Sequence, residues 1–265
     1  MSLLPPWVNK QGGQAAAEAG WVERYLTDWS GDDTDFLAGG EGTTATFDGV
    51  TWTAHINQAS GNGANKFESS SSGLEIDPDY QTRLLASASD PEWPGLWALI
   101  DDLVGGSWDG LSSVCIQMRI NFDVAPSANF ESGGLAIWEP TANWLVFVQP
   151  AYNGAQILWT GRMVPASTEL KSSMTLPTII EVHLLRGVLV DVYYGAWGGS
   201  WPTPGTLSQV TDASFVAKGN VDPGSSTNRP VSASTCRVAV LATNNNASNN
   251  IEMTCAGLRV CEFVG

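Results

Sequence analysis

A chain of 265 residues with 28 Gly, 14 Pro and only 15% charged positions has room for one large β domain or two small ones, and it suits short strands broken by frequent turns rather than a helix-dominated fold. Its 12 Lys and Arg stand against 27 Asp and Glu, and the resulting charge of −15 repels both a phosphate backbone and an anionic membrane surface, so no nucleic acid partner is expected. No apolar run approaches the roughly 20 residues a spanning helix needs, so no membrane insertion is expected either.

The start, MSLLPPWVNKQGG, lacks a basic stretch followed by an apolar one and does not read as a secretory signal; a signal has either been removed or is not used. From Gln14 to Trp29 the spacing of Val22, Tyr25, Leu26 and Trp29, with Trp21 beside them, predicts one amphipathic helix. Pro5 and Pro6 precede it and the Gly- and Asp-rich SGDDTDFLAGGEG follows, so residues 1–40 are expected to form a helical arm with a linker and residues 41–265 a β-sandwich domain. The stripe of Trp21, Val22, Tyr25, Leu26 and Trp29 needs cover from the body or from another subunit, and it is the expected anchor in an assembly.

In the body, ATFDGVTWTAHIN turns at Asp48-Gly49, a strong two-residue hairpin signal. A polar loop leads to LEID, and PGLWALIDDLVGG predicts a short helical turn stopped by Gly105 and Gly106. In VCIQMRINFDV, Val114, Ile116, Met118, Ile120, Phe122 and Val124 alternate with Cys115, Gln117, Arg119, Asn121 and Asp123, which predicts a strand with one face on the core and one in water.

GGLAIWEPTANWLVFVQ, Gly133 to Gln149, reads as two antiparallel strands around a Pro-containing turn. Pairing Trp138 with Trp144 sets Leu135 opposite Phe147 and Ile137 opposite Leu145, an apolar face that needs a second sheet; the face of Ala136, Val146 and the two indoles is either a covered layer or a binding platform.

AYNGAQILWTG repeats the pattern around Asn153-Gly154. In TIIEVHLLRGVLVDVYYG, a three-residue loop of Leu185, Arg186 and Gly187 pairs Val182 with Val190 and Ile180 with Val192, leaving Glu181, His183, Asp191 and Tyr193 on the polar face. CRVAVLATNNNASNNIEMTCAGLRVCEF closes the chain with two strands and a bulge near Ala256 and Gly257. Cys255 and Cys261 share one strand and would sit about 20 Å apart, beyond disulfide reach, while Cys115 and Cys236 could bridge only from neighbouring strands, so free thiols are expected.

Many antiparallel strands with one apolar face each, no repeat and no βαβ alternation predict an all-β, two-sheet antiparallel jelly-roll sandwich. The order of GGLAIWEPTANWLVF, a strand ending at Trp159, TIIEVHLLRGVLVDVYYGAWGGSWP and RVAVLATNNNASNNIEMTCAGLRV resembles the concanavalin A-like lectin/glucanase superfamily, particularly its laminin G-like and small non-catalytic members, over roughly residues 70 to 263. The glucanase branch of that superfamily implies paired carboxylates about 5 Å apart on one strand. Glu75-Ile76-Asp77-Pro78-Asp79 is the nearest string, but it has no closing Glu and Pro78 would interrupt the strand, so no catalytic residues are expected.

His55 and His183 are the only histidines and neither sits in a spaced ligand set, so no metal site is expected; Asp32, Asp33, Asp35 and the run Asn244 to Asn250 offer oxygen ligands for Ca2+ without a calcium motif, and no cofactor is implied. Twelve Trp is a high content, and indoles hold sugars by their apolar ring faces while amides and carboxylates take the hydroxyls. Trp138, Trp144, His183, Tyr193, Trp197 and Trp201 are the candidate glycan-contacting residues; packing in the core or between subunits is the plainer use of each indole. The expected function is a non-enzymatic structural and interaction protein, a homo-oligomeric virion surface component such as a phage capsid decoration or tail protein with possible glycan binding. The alternative is a secreted, extracellular carbohydrate-binding module or glycoside hydrolase.

Overall fold

The computed structural model describes residues 20–30, 41–55, 66–78, 95–106, 108, 112–126, 131–140, 144–152, 157–164, 168–173, 178–185, 188–209, 235–244 and 251–265. Its strands are β1 (Gly20–Thr27), β2 (Thr44–Phe47), β3 (Val50–His55), β4 (Lys66–Ser70), β5 (Gly73–Asp77), β6 (Gly95–Leu99), β7 (Ser113–Val124) and β8 (Ser132–Glu139). They continue as β9 (Trp144–Tyr152), β10 (Ile157–Val164), β11 (Thr168–Ser173), β12 (Ile179–Leu185), β13 (Val188–Gly195), β14 (Ser208–Gln209), β15 (Arg237–Thr243) and β16 (Glu252–Val264). One short helix, α1 (Ile100–Val104), follows β6 and stops at Gly105, whose φ of 74° supplies the left-handed cap that a side chain resists.

The strands form two antiparallel sheets. Sheet A runs β14-β13-β12-β7-β16-β5-β4, with β1 also on β16, and sheet B runs β11-β10-β9-β8-β15-β6-β3-β2. Val114, Ile116, Met118, Val182, Leu258 and Val260 of sheet A and Leu135, Ile137, Val238, Val240, Leu96 and Trp52 of sheet B share one buried cluster. The expected all-β sandwich is therefore formed, and period-two alternation on both sheets is what builds its core.

In the described part of the expected helix over residues 14–29 no helix forms: Gly20–Thr27 is a strand paired with β16, so these residues belong to the sandwich rather than to an appended arm. The pairing slips between Glu23, opposite Cys261, and Tyr25, opposite Val260, leaving Arg24 as the extra residue of a bulge. Before the bulge Trp21 and Glu23 stand on the outer face; after it Leu26 does, while Tyr25, Thr27 and Trp29 are buried. One phase slip in a period-two pattern thus spaces apolar residues as a helix would. The Tyr25 hydroxyl donates to the Phe47 carbonyl and accepts from Trp52 Nε1, both at 3.0 Å, and Trp29 packs edge-on against Trp52 at 4.9 Å. Trp29 holds a φ of 63°, a conformation that costs a side-chain-bearing residue roughly 1–2 kcal/mol and is offset here by complete burial.

Two registers differ from expectation. Trp138 stands opposite Leu145 and Trp144 opposite Glu139, one residue away from the expected indole pair, so Ile137 faces Val146 and Leu135 faces Val148. In β12–β13, Leu185 pairs with Val188 around a two-residue loop, Val190 is bulged out, and Val182 then meets Val192 rather than Val190. The bulge repairs the apolar match that the shorter loop alone would break. The hairpin at Asp48-Gly49 forms as expected, with φ of 48° and 85° at the two turn residues, and β16 is bulged at Ala256 between Cys255 and Gly257. Asn153-Gly154, Asp32, Asp33, Asp35 and Asn245 to Asn250 lie outside the described residues. Among the described residues, no helix is long and apolar enough to cross a membrane.

Candidate functional site

Sheet A turns a second face away from the core, and registers place its side chains in rows. One row is Glu23, Cys261, Cys115 and His183 across β1, β16, β7 and β12; the next is Arg259, Gln117, Glu181 and Tyr193. Directly opposed residues on antiparallel strands share a face, so these rows converge polar and thiol groups that are far apart in sequence. Glu181, His183 and Tyr193 share a face as alternation predicts, and the side chain of Asp191 lies outside the described residues. The expected solvation of the β7 side does not hold, because Cys115 and Gln117 are fully buried.

The cover comes from residues 196–207, the connection between β13 and β14. It folds back as a strap over β12 and β7 to β16: the Pro202 carbonyl accepts from Gln117 Nε2 at 3.0 Å and from Arg259 Nη1 at 3.2 Å, and Gly205 N–H donates to Glu181 Oε1 at 2.6 Å. Trp201 lies over Gly257, where an added Cβ would come within 3.1 Å of the Thr27 carbonyl and 3.2 Å of the indole, so glycine lets the strap approach closely there. Trp197 packs edge-on against Trp201 at 5.2 Å and carries the Arg119 guanidinium 4.1 Å over its ring.

Glu181 is 0% exposed, and its carboxylate is held on several sides. It accepts from Gln117 Nε2 at 2.6 Å and from Gly205 N–H, and it lies 2.7 Å from His183 Nε2. Buried carboxylates require such partners, and here the strap and the sheet supply them jointly. At the open end of the rows, the Arg259–Glu23 ion pair at 2.8 Å is part-exposed.

Beyond the strap, aromatic rings run in a ribbon. Phe263 meets Trp21 at 5.4 Å, Trp21 meets His183 at 5.2 Å, and His183 meets Tyr193 at 4.9 Å. Phe263 is 40% exposed, and Trp21 and Tyr193 are half-buried. Beneath the ribbon, burial pushes the Cys115 thiol well above its usual range, with the Glu181 charge adding to it, and burial also raises Cys261. All four cysteines are free and buried.

The sequence-derived candidates divide between the two sheets. His183, Tyr193, Trp197 and Trp201 come together on the outer face of sheet A. Trp138 lies in sheet B, 3% exposed, where the Arg237 guanidinium sits 4.4 Å over its ring and 3.8 Å over Trp97, with His55 at 5.2 Å. That half of the expected platform is covered. The side chain of Trp144 lies outside the described residues. The expected anchor set is split, because Tyr25 and Trp29 are core, Trp21 joins His183, Val22 is half-buried and Leu26 is 40% exposed. Sequence reasoning missed Gln117, Arg259 and Glu23 at the site; the polar positions of the alternating strand held Gln117 in plain view, but nothing local signals that a distant loop covers them.

At the β4–β5 end of the same face, Glu68, Glu75, Asp77, Asp123, Glu252 and Thr254 line a cleft of about 120 Å³. Thr254 donates to Asp123 Oδ2 at 2.9 Å and Ser70 to Glu75 Oε1 at 3.0 Å. Pro78 follows β5 instead of interrupting it, so Glu75 and Asp77 both project from an intact strand.

No protein-family model matches the chain, and no curated protein matches it. Among solved structures, it is similar to a variant of the GH43 protein BlXynB from Bacillus licheniformis, with 15% identity and a TM-score of 0.53 over 92% of this chain and 40% of that one. It thus spans about 40% of that protein's length. It also matches SCLam, a non-specific endo-β-1,3(4)-glucanase from family GH16, with 10% identity and a TM-score of 0.47 over 94% of this chain and 96% of that one. A third match is the CBM2 module of the evolved Dit of Lactobacillus casei BL23 phage J-1, with 8% identity and a TM-score of 0.39 over 94% and 99%. The expectation of a non-enzymatic protein is corrected by the first of these: a glycoside hydrolase contains this sandwich, so the fold gives no ground for setting enzymes aside. In fold, the chain is a two-sheet antiparallel jelly-roll sandwich, an architecture it shares with the GH43 protein.

Proposed function

We propose that this chain is a carbohydrate-active sandwich that holds a saccharide on the outer face of sheet A. The observation that carries this reading is the aromatic ribbon of Phe263, Trp21, His183 and Tyr193 beside the part-exposed Glu23–Arg259 pair. Pyranose rings present an apolar face that stacks on such rings, and carboxylate and guanidinium groups at the ribbon's edge take the hydroxyls. Phe263 of this ribbon is 40% exposed, whereas Trp138 is buried beneath the Arg237 guanidinium. The virion anchor reading loses its main support, since two of its five residues are core.

The test is binding to an array of glycans and to soluble xylan and mixed-linkage β-glucan. Trp21→Ala and Tyr193→Ala are each expected to weaken binding about tenfold or more, the loss of one stacking contact with its buried area. Binding by Trp21→Ala equal to that of the unmodified protein, or no glycan bound at all, would sink the reading.

A second reading, hydrolysis, is favoured by the acidic cleft on the same face, whose carboxylates come from β4, β5, β7 and β16. Glycoside hydrolysis uses two carboxyl groups, one giving a proton and one attacking or activating water. Release of reducing ends from the same polysaccharides, abolished in Glu75→Gln or Asp123→Asn, is the expected outcome; release unaffected by both substitutions would remove the cleft from consideration.

A further inference from the structure

We infer that Cys115, Glu181 and His183 form a binding site for one borderline-soft divalent metal ion of the Zn2+ class. The thiol sulfur, a carboxylate oxygen and an imidazole nitrogen all lie within 4.8 Å of one another. Cys115 and His183 are directly opposed on β7 and β12, and Glu181 is two residues from His183 on the same face, so two central strands of sheet A fix the set. Cys115 and Glu181 are fully buried, and the His183 side chain is nearly so. Three ligands on rigid strands with a further position open is how proteins hold Zn2+ outside purely structural sites.

The donor types select the metal. Ca2+ and Mg2+ take oxygen ligands, whereas a thiolate with an imidazole and a carboxylate suits Zn2+ or Co2+. The outer partners are also in place: Gln117 Nε2 and Gly205 N–H hold the Glu181 carboxylate, as ligating carboxylates are usually held. Adjacent ligands on a tetrahedral Zn2+ stand about 3.3 Å apart, given bonds of roughly 2.0–2.1 Å. The 2.7 Å contact between His183 Nε2 and Glu181 Oε1 therefore opens slightly as the ion takes its place. On coordination the Cys115 sulfur gives its proton to solvent, and the proton that His183 Nε2 shares with Glu181 leaves that nitrogen as Nδ1 takes the ring proton, freeing the Nε2 lone pair. Cys261 faces Cys115 from β16 and is not part of the ligand set, which makes it the control thiol.

The experiment titrates the chelator-treated, reduced full chain with Co2+ and then Zn2+, reading thiolate-to-cobalt charge-transfer absorption and bound metal per chain. One equivalent is expected, with a charge-transfer band that Zn2+ displaces and a melting temperature that rises with metal. Cys115→Ser abolishes the band, His183→Gln weakens binding at least tenfold, and Cys261→Ser leaves both unchanged. The near-UV circular dichroism of each metal-free variant verifies its fold; should Cys115→Ser fail to fold, His183→Gln and the titration of the unmodified chain decide. The absence of saturable binding near one equivalent, a band that survives Cys115→Ser, or an affinity unchanged in His183→Gln overturns the assignment.

Discussion

The Trp21 and His183 rings meet with centroids 5.2 Å apart, although they leave β1 and β12, which are separated in sheet A by β16 and β7. The two strands between them contribute Cys261 and Cys115, buried thiols that stand in one row with His183. Trp21 thereby links β1 to the polar rows that Glu181 and His183 organise, and β1 becomes part of the site.

If β1 is part of the sandwich, its residues differ sharply by phase. Trp29→Ala is expected to cost about 3–5 kcal/mol, as large aromatic deletions in a core do, and Tyr25→Phe about 1 kcal/mol through the hydrogen bonds to Phe47 and Trp52. Leu26→Ala, at a site 40% exposed, should cost well under 2 kcal/mol. Urea denaturation measures all three; equal and small losses would mean that β1 contributes nothing to the core.

The strap over sheet A depends on Glu181. In Glu181→Ala the Gly205 N–H on the exposed strap loses its acceptor and the buried Gln117 amide keeps only the Pro202 carbonyl, at a cost of roughly 1–3 kcal/mol, while Glu181→Gln keeps an oxygen in place and should lose less. Amide exchange at Gly205 and proteolysis within 196–207 should both speed up in the alanine variant. Unchanged exchange would show that the Trp201 contact with Gly257 and the Pro202 carbonyl hold the strap alone.

Alkaline pH should unfold this protein. Burial pushes the Cys255 thiol from 9.0 up to about 12 and the Tyr25 hydroxyl from 10.0 up to about 12. The unfolded chain releases these protons from pH 9 and 10 upward while the folded chain keeps them, so the unfolded state gains. Stability is fully present below pH 9 and falls toward pH 12, by about 1.4 kcal/mol per pH unit for each group. Melting temperatures from pH 7 to 11 test this; a flat profile above pH 9 contradicts it.

How far the chain could be read without its fold varies with the range of the interactions. Strand β7, the Asp48-Gly49 hairpin, the stop of α1 at Gly105 and the shared face of Glu181, His183 and Tyr193 follow from alternation and from positive φ at turn residues, which neighbours along the chain impose. The strand identity of residues 20–27 did not follow, because the bulge at Arg24 gives its side chains a helical spacing. Nor did the one-residue register of Trp138 against Leu145, since a turn of unspecified length permits either pairing. Burial of Gln117 and Glu181 on a face whose pattern reads as solvated was beyond local reasoning altogether. Pro202 and Gly205 reach that face from a loop, and only long-range contacts determine which side of a sheet is dry. Alternation, then, determined the sandwich and its inner faces; the partnering of distant segments decided its outer face, where the rings, the buried carboxylate and the thiols meet.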